Sequence, residues 1–350
     1  RDNRLDRTIL SGIMRSWLAE NNQIEVKGET HLFTETNIEE AIRRLLDEPF
    51  DGLIRTNEKL YHLLTLGTSL DQTIEGDRKG RSLHYIEWDA LKAGNNVFHV
   101  TDEFAVERSR SHEKARPDLV LFVNGIPFVV IECKRRDKDV HVGKRQVEIA
   151  IEQQLRNQRD DYIPHLFQYA QLLFATSVND IRYGTVGTDK KFWSVWKEEG
   201  NDEERVTAAA NTPLSKNILE RLFSPPEGMD AKPYEEARQY FTELWQEGER
   251  LPTRQDRTLY AMLRPQRLLD LVYGFIVFDA GIRKVARYQQ YFAVKRTIDK
   301  VSPLREGQRQ GGVVWHTTGS GKSLTMVMLA KALALNPAVT NPRVVIVTDR

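Results

Sequence analysis

The chain has 350 residues, of which 29% are charged and 40% hydrophobic, and these fractions exclude disordered, collagen-like and membrane-spanning proteins. The length predicts two or more domains. The formal net charge is only +1, so a polyanionic partner must bind a local basic patch. Cys133 is the single cysteine, which excludes an internal disulfide and favours a reducing, cytoplasmic compartment.

The two ends of the chain indicate a piece of a longer protein. The sequence begins at Arg1 without a methionine or an apolar signal segment, and it stops directly after the β-branched run Val344–Thr348. Its apolar runs are all shorter than the roughly 18 residues that a membrane helix needs. We therefore expect a fragment that does not associate with a membrane.

Residues 1–195 predict a mixed α/β domain. Apolar residues three and four apart predict helices, two of them behind candidate Asn caps, at Asn37–Asp47, Asn57–Leu66, Gly143–Arg159 and Pro164–Ala175. Runs rich in Val, Ile and Phe predict strands at Val97–Val100, Asp118–Val123, Ile126–Cys133 and Ile181–Val186.

The remaining sequence predicts a connector and a second α/β unit. Residues 196–279 are mostly helical in pattern and are interrupted by the turn-forming segment Ser224–Gly228. Residues 280–350 contain a predicted strand, a glycine-containing turn, the helix Leu324–Leu335 and a second strand. This order is typical of the start of an open, parallel α/β sheet.

A phosphate-binding loop is predicted between the apolar run and the helix of this last unit. The sequence HTTGSGKS places glycines where backbone N–H groups can approach a phosphate, although His316 replaces the usual first glycine. Lys322 would reach the β- and γ-phosphates of ATP and the Ser323 hydroxyl would bind Mg²⁺. The alternative is a glycine-rich surface turn. The candidate cofactor site comprises Gly319, Ser320, Gly321, Lys322 and Ser323.

A second candidate site lies on the hairpin around Asn124-Gly125. Asp118 and Glu132 could hold Mg²⁺ at one end of a sheet, and Lys134 could orient the water that attacks a phosphodiester. The run Lys134–Arg145 carries six Lys and Arg against two Asp, which favours binding of a nucleic-acid backbone. The alternative is a solvated strand end without catalytic function.

The hairpin turn decides whether the two carboxylates can meet. A two-residue turn at Asn124-Gly125 would place Asp118 and Glu132 on opposite faces of the sheet. A shared metal requires a shift of one residue, through the three-residue loop Val123–Gly125 with its glycine left-handed, or through a bulge further along either strand. We expect a hairpin with one of these bulged forms; the three-residue loop would set Asp118 opposite Val130 and make Glu132 its diagonal neighbour.

The order of the two motifs resembles the restriction (motor) subunit of type I restriction-modification enzymes, and the resemblance covers most of the chain. Arg116–Lys134 is similar to the family's PD-(D/E)xK nuclease motif, and HTTGSGKS to its ATP loop. Arg287–Ala293 resembles the segment whose glutamine contacts adenine in superfamily 2 proteins, which favours Gln290, with Gln289 as the alternate. Gln154 occupies the first position of the family's Gln-x-x-x-Tyr motif, but Gln158 replaces its tyrosine.

This resemblance implies a PD-(D/E)xK nuclease-like mixed sheet flanked by helices, then a helical connector and the beginning of a RecA-like ATPase lobe. It implies Mg²⁺ and ATP as cofactors, and Asp118, Glu132, Lys134 and Gln154 as catalytic residues. The implied function is ATP-dependent translocation and cleavage of double-stranded DNA, in a complex with methyltransferase and specificity subunits. The fragment alone is expected to lack ATP turnover. Two alternatives are a repair or single-chain helicase-nuclease and a nucleotide-gated DNA-binding module without nuclease activity.

Overall fold

The structure is a computed structural model that describes residues 7–135, 145–198, 200, 202–225, 228–317 and 319–347. The helices in these ranges are α1 (Ser11–Asn21), α2 (Glu35–Leu46), α3 (Leu53–Leu66), α4 (Gln146–Asn157), α5 (Pro164–Phe167), α6 (Glu203–Asn211), α7 (Lys216–Leu222), α8 (Lys232–Gln246), α9 (Arg254–Leu263), α10 (Pro265–Phe275), α11 (Tyr288–Val301) and α12 (Lys322–Leu335). Two short 3₁₀ helices are Ala90–Asn95 and Lys190–Phe192.

The strands in the described ranges follow the same chain order. They are β1 (Gln23–Val26), β2 (Glu29–Leu32), β3 (Thr68–Ile74), β4 (Asp77–Leu83), β5 (Phe98–Asp102), β6 (Val106–Glu107), β7 (Lys114–Ala115), β8 (Leu119–Val123), β9 (Ile126–Cys133), β10 (Leu172–Ser177), β11 (Asp180–Gly184), β12 (Ile276–Asp279), β13 (Ile282–Val285), β14 (Leu304–Arg305) and β15 (Gln308–Arg309). The helices of these ranges include none long and apolar enough to cross a membrane.

A five-stranded mixed sheet forms the centre of the fold, in the order β11-β10-β9-β8-β5. The pair β9 and β10 is parallel, and the other neighbours are antiparallel. Every residue of β10, and every residue of β9 except Cys133, is buried. Continuous burial of this kind requires cover on both faces of the sheet. The predicted mixed α/β fold is therefore confirmed.

Two hydrophobic cores cover the two faces of this sheet. On one face Val120 and Val130 pack against α4 and α5. On the other face Val129 and Ile131 pack against α1, α2, α3 and α10. Because successive residues of a strand alternate between faces, Asp118 and Glu132 continue the rows of Val120 and Val130 on the α4 side.

The hairpin between β8 and β9 differs from the predicted loop. Val123 pairs with Ile126 across a two-residue turn in which Asn124 and Gly125 have φ of 51° and 81°. Both positive angles fit a type I′ turn. A Cβ at Gly125 would lie 2.5 Å from the carbonyl oxygen of Leu10, so only glycine fits this position. The prediction of a three-residue loop was wrong.

The expected one-residue shift occurs through the other predicted form, a bulge further along β9 at Phe128, and the prediction of a bulged hairpin is confirmed in this form. Phe122 pairs with Pro127, but Leu121 pairs with Val129, and the shifted register continues to Leu119 and Ile131. Asp118 therefore lies opposite Glu132 and not opposite Val130. The expected diagonal relationship was also wrong, but the two carboxylates share a face. The bulge has a packing reason, since Phe128 and Val129 both enter the same core.

The predicted helix Pro164–Ala175 is only partly formed. Helix α5 ends at Phe167, and the residues from Leu172 onwards form β10, which lies at the centre of the sheet. A short apolar run such as LLFAT fits a buried strand and a buried helix equally well, and pairing with β9 selects the strand. The helical periodicity of α2 and α3 is confirmed, but Thr34 and Gly52, and not the two asparagines, occupy the N-cap positions.

The predicted strands on either side of α12 are not formed within the described residues. Segments 311–317 and 342–347 carry no sheet pairing, and Val313 and Trp315 are 92% and 88% exposed. A strand is stable only beside a hydrogen-bonded neighbour, and the described part of the chain supplies none for either segment. The helices α6 to α10 agree with the mostly helical pattern of the connector; its boundaries stay a prediction.

Candidate functional site

Three charged side chains meet where β8 begins and β9 ends. Lys134 Nζ lies 3.8 Å from Asp118 Oδ2 and 3.9 Å from Glu132 Oε2. The same ammonium group donates to the carbonyl oxygen of Cys133 at 3.3 Å, and the Cys133 N–H donates to Asp118 Oδ2 at 2.6 Å. The sheet thus brings together the three residues that the sequence had singled out on this hairpin.

The Glu132 carboxyl group is fully buried, whereas Asp118 is about one-third exposed. Burial, followed by the neighbouring Asp118 carboxylate, raises the pKa of Glu132 to about 8, although Lys134 and Arg156 act in the opposite direction. Two carboxylates held this close disfavour each other's ionised form, and a nearby cation relieves this repulsion. Lys134 alone does not bring the pKa of Glu132 back to its ordinary value.

The donor set at this position fits a Mg²⁺ ion. Mg²⁺ is commonly bound by one or two carboxylates and completes its octahedron with water and substrate phosphate oxygens. Asp118 and Glu132 supply two carboxylates on one face, one of them open to solvent. The described residues contain no group of three or more His, Cys, Asp or Glu side chains that could hold a metal, so this site depends on a carboxylate pair.

Gln154, the fourth predicted catalytic residue, does not contact the carboxylates. Its Nε2 donates to the carbonyl oxygens of Val130 and Phe174, both at 3.0 Å, and so ties α4 to β9 and β10. Gln158 continues this anchoring, because its amide donates to the Gln154 carbonyl and accepts from the Gly187 N–H.

The residues of α4 that do contact Glu132 are Gln153 and Asn157, which the sequence analysis missed. Gln153 Nε2 donates to Glu132 Oε2 at 2.6 Å, and Asn157 Nδ2 donates to Oε1 at 3.1 Å. Their spacing of four residues, which places them on one helix face, was a usable signal. The sequence contains two such amide pairs shifted by one residue, however, and only the docking of α4 decides which pair faces the carboxylate.

The predicted basic run Lys134–Arg145 lies mostly outside the described residues, which resume at Arg145. Arg145 contacts the carboxylates of Glu148 and Asp180, at 3.5 Å and 3.4 Å. The proposed role of this run in holding a nucleic-acid backbone therefore stays a prediction.

The phosphate-loop region begins at His316 and ends at the N-terminus of α12; Thr318 within it lies outside the described residues. Gly319 and Gly321 have φ of 78° and 85°, a conformation that glycine adopts at little cost. Lys322 and Ser323 form the first turn of α12 and are exposed. Free N–H groups and the helix dipole make such a helix N-terminus attractive to a phosphate.

Two side chains hold this loop in place. Ser320 Oγ donates to the Thr317 carbonyl at 2.7 Å and lies 3.1 Å from His316 Nδ1. Gln290 is buried; its Nε2 donates to the Gly321 carbonyl at 3.1 Å, and its Oε1 accepts from the Arg287 N–H. The structure therefore places the residue predicted to contact adenine directly against the predicted phosphate loop.

Comparison with known families separates the chain into the same two regions. A family model described as the N terminus of the type I restriction enzyme R protein matches residues 4–192. A model described as the SWI2/SNF2 ATPase matches residues 289–350. The first match covers more than half of the chain and contains the carboxylate site; the second contains the phosphate loop.

Curated relatives resemble the chain along most of its length. The chain is 28% identical over 326 residues to the type I restriction enzyme HindI endonuclease subunit of Haemophilus influenzae, a match that covers 90% of this chain and 26% of the relative. It is 24% identical over 347 residues to the type I restriction enzyme SauCOLORF180P endonuclease subunit of Staphylococcus aureus, with 94% and 31% covered. The chain thus spans between about a quarter and a third of the length of these relatives.

Proposed function

The chain belongs to the family of type I restriction enzyme R proteins, and from this premise we propose that it supplies the nuclease site and part of the ATP site of a restriction subunit. In this proposal the complete protein couples ATP-dependent translocation along double-stranded DNA to endonucleolytic cleavage of both strands. The observation that carries it is the convergence of Asp118, Glu132 and Lys134 on one face of the central sheet.

In the proposed reaction Asp118 and Glu132 would hold Mg²⁺ where β8 begins and β9 ends. The ion would polarise the phosphodiester and lower the pKa of a bound water. Lys134 extends between the two carboxylates, where its ammonium group can orient the attacking water and offset negative charge that develops on the phosphate. The exposed edge of Asp118 leaves this end of the sheet accessible to a DNA backbone.

The phosphate loop is proposed to bind Mg²⁺-ATP. Backbone N–H groups of Gly319, Ser320 and Gly321 would surround the phosphates, Lys322 would reach the β- and γ-phosphates, and the Ser323 hydroxyl would bind Mg²⁺. Gln290 would contact adenine. Hydrolysis of ATP needs further residues that position the attacking water and stabilise the transferred phosphate, so we propose that this chain binds the nucleotide without sustained turnover.

The partners of the complete protein are proposed to be double-stranded DNA and the methyltransferase and specificity subunits of a type I complex. This proposal predicts that cleavage requires those subunits. A repair or single-chain helicase-nuclease, the first alternative, would cut DNA without them. Cleavage assays with and without the two partner subunits separate these functions.

The test of the nuclease assignment is the Glu132→Ala substitution in the complete restriction complex. We expect loss of DNA cleavage and retention of DNA-stimulated ATP hydrolysis, because Glu132 belongs to the carboxylate site and not to the phosphate loop. Glu148→Ala, at a half-buried glutamate of α4 that pairs with Arg145 and not with the carboxylate site, is the matched control and should cut normally. Cleavage that survives Glu132→Ala would favour the second alternative, a nucleotide-gated DNA-binding module whose carboxylates are structural.

A further inference from the structure

The Glu132 carboxylate receives one hydrogen bond on each oxygen, and both donors are neutral amides of α4. Gln153 donates to Oε2 at 2.6 Å, and Asn157 donates to Oε1 at 3.1 Å. Asn157 is buried, and Gln153 is half-buried at the same helix face. The carboxylate plane is therefore fixed from the helix side of the sheet.

This arrangement fixes the direction of the carboxylate without consuming its capacity to bind a cation. When Glu132 is ionised, each carboxylate oxygen has two lone-pair positions, and the amide hydrogen bonds occupy one on each oxygen. An arginine or lysine in place of the amides would neutralise the negative charge of the carboxylate. An amide side chain is uncharged and leaves that negative charge available to a cation. The nearest described ammonium group, that of Lys134, is 3.9 Å away, beyond hydrogen-bond distance.

A second amide pair on the same helix makes different contacts. Gln154 and Gln158, each one residue further along, bond only to backbone groups and hold α4 against the sheet. Helix α4 thus carries an anchoring pair and, one residue before it, a pair directed at Glu132. Residues that hydrogen-bond a metal ligand orient it, and their loss typically weakens metal binding 10- to 100-fold.

We propose that Gln153 and Asn157 are positioning residues that orient the Glu132 carboxylate towards a divalent cation shared with Asp118. The proposal deepens the nuclease function proposed above and rests on it. It adds two residues to the site on grounds of contact geometry alone. Neither residue needs to touch the cation or the DNA.

The test measures binding of Mn²⁺ to the 350-residue chain, by calorimetry and by the electron paramagnetic resonance signal of the bound ion. Gln153→Met and Asn157→Leu keep the side-chain volume but remove the donor. Each should weaken Mn²⁺ binding about 10- to 100-fold. In the absence of the cation, each should lower the thermal unfolding temperature of the chain no more than the control variant does. The matched control is Ile149→Met, a half-exposed position of α4 that does not contact Glu132. If Asn157→Leu fails to fold, Gln153→Met carries the test, because its side chain is only half-buried.

A Glu132→Ala arm separates the two proposals. If Glu132→Ala abolishes Mn²⁺ binding but Gln153→Met and Asn157→Leu bind like the control, the positioning role is wrong and the metal site stands. If Glu132→Ala itself binds Mn²⁺ like the wild-type chain, the proposed metal site is wrong.

In the complete complex, Gln153→Met should raise the Mg²⁺ concentration that gives half-maximal cleavage and leave the rate at saturating Mg²⁺ close to normal. A lower rate with an unchanged Mg²⁺ requirement would overturn the proposal.

Discussion

The carboxylate site and the phosphate loop each contain one candidate functional lysine, but the surroundings of the two lysines differ. Lys134 follows a central strand that is buried except at Cys133, and its carboxylate partner Glu132 has no exposed surface. Lys322 is exposed, and the apolar run before its loop has no sheet neighbour among the described residues. The first site is built by the sheet, whereas the second is held from one side, through Gln290 and the packing of α11 on α12.

This difference reflects how each kind of site is assembled. The carboxylate site needs two adjacent strands and one helix, and all three lie within a range of 40 residues, 118–157. A phosphate loop needs only a turn and a helix N-terminus to attract an anion, but the strand before it gains stability only from a sheet. DNA cleavage at the carboxylate site should therefore depend on fold stability more strongly than nucleotide binding at the phosphate loop.

The largest expected effects on activity come from replacing Lys134 or Lys322 with alanine in the complete complex. Lys134→Ala should lower DNA cleavage by about 1,000-fold or more, equivalent to several kcal/mol of transition-state stabilisation, with ATP hydrolysis retained. Lys322→Ala should instead abolish ATP hydrolysis, and cleavage that depends on translocation with it. Parallel cleavage and ATPase assays check both. Loss of ATP hydrolysis in Lys134→Ala would show that the two sites are not separable.

The chain of 350 residues should bind a nucleotide without sustained hydrolysis. Groups that orient the attacking water and stabilise the transferred phosphate contribute factors on the order of 10³ or more, and the proposed loop supplies neither. A phosphate-release assay with and without DNA measures turnover, and fluorescent ATP analogues measure binding, with Lys322→Ala as the non-binding control. Robust DNA-stimulated hydrolysis would contradict this expectation.

Stability should respond to the anchoring glutamine far more than to the loop serine. Gln154→Ala removes two buried hydrogen bonds and leaves a void between α4 and the sheet, so we expect the free energy of unfolding to fall by about 2–4 kcal/mol. Ser323→Ala changes an exposed hydroxyl and should stay within about 0.5 kcal/mol of the wild-type chain. Denaturant unfolding measures both. Equal effects would mean that the carboxylate site is no more tightly built than the loop.

The smallest expected effect concerns Lys331 on α12, whose Nζ donates to the Tyr61 hydroxyl of α3 at 2.9 Å. Burial lowers the pKa of Lys331 to about 8. The unfolded chain therefore binds more protons than the folded chain between pH 8 and 10.5, and the contribution of this residue to stability rises with pH in that window.

Lys331→Met should remove this rise and stabilise the chain slightly at pH 7, by about 1 kcal/mol or less because Lys331 is only partly buried. Denaturant midpoints at pH 7, 8 and 9.5 measure the difference between variant and wild type. The matched control is Lys322→Met, which changes an exposed lysine at the start of the same helix. It should leave the pH dependence of the unfolding free energy unaltered. A stability difference that stays constant with pH would contradict the assignment.

The sequence predicted the residues of both candidate sites because the patterns that indicate them are local. The order of Asp118, Glu132 and Lys134 on two apolar strands, and the HTTGSGKS loop before a helix, are patterns of residue type and spacing. Strands β8 and β9 were predicted to within one residue for the same reason, since continuous apolar runs bounded by Asn124-Gly125 indicate a buried hairpin.

Tertiary packing decided what spacing could not. The Phe128 bulge, and not the turn, brings Asp118 and Glu132 to one face, because both Phe128 and Val129 are needed in the same core. The docking of α4 directs Gln153 and Asn157, and not Gln154, at the carboxylate. The run from Leu172 became a strand because β9 offered a parallel neighbour, whereas Val313–Trp315 has none in the described chain and forms no strand. Register, helix docking and strand pairing are contacts between distant residues, so the local sequence leaves them open.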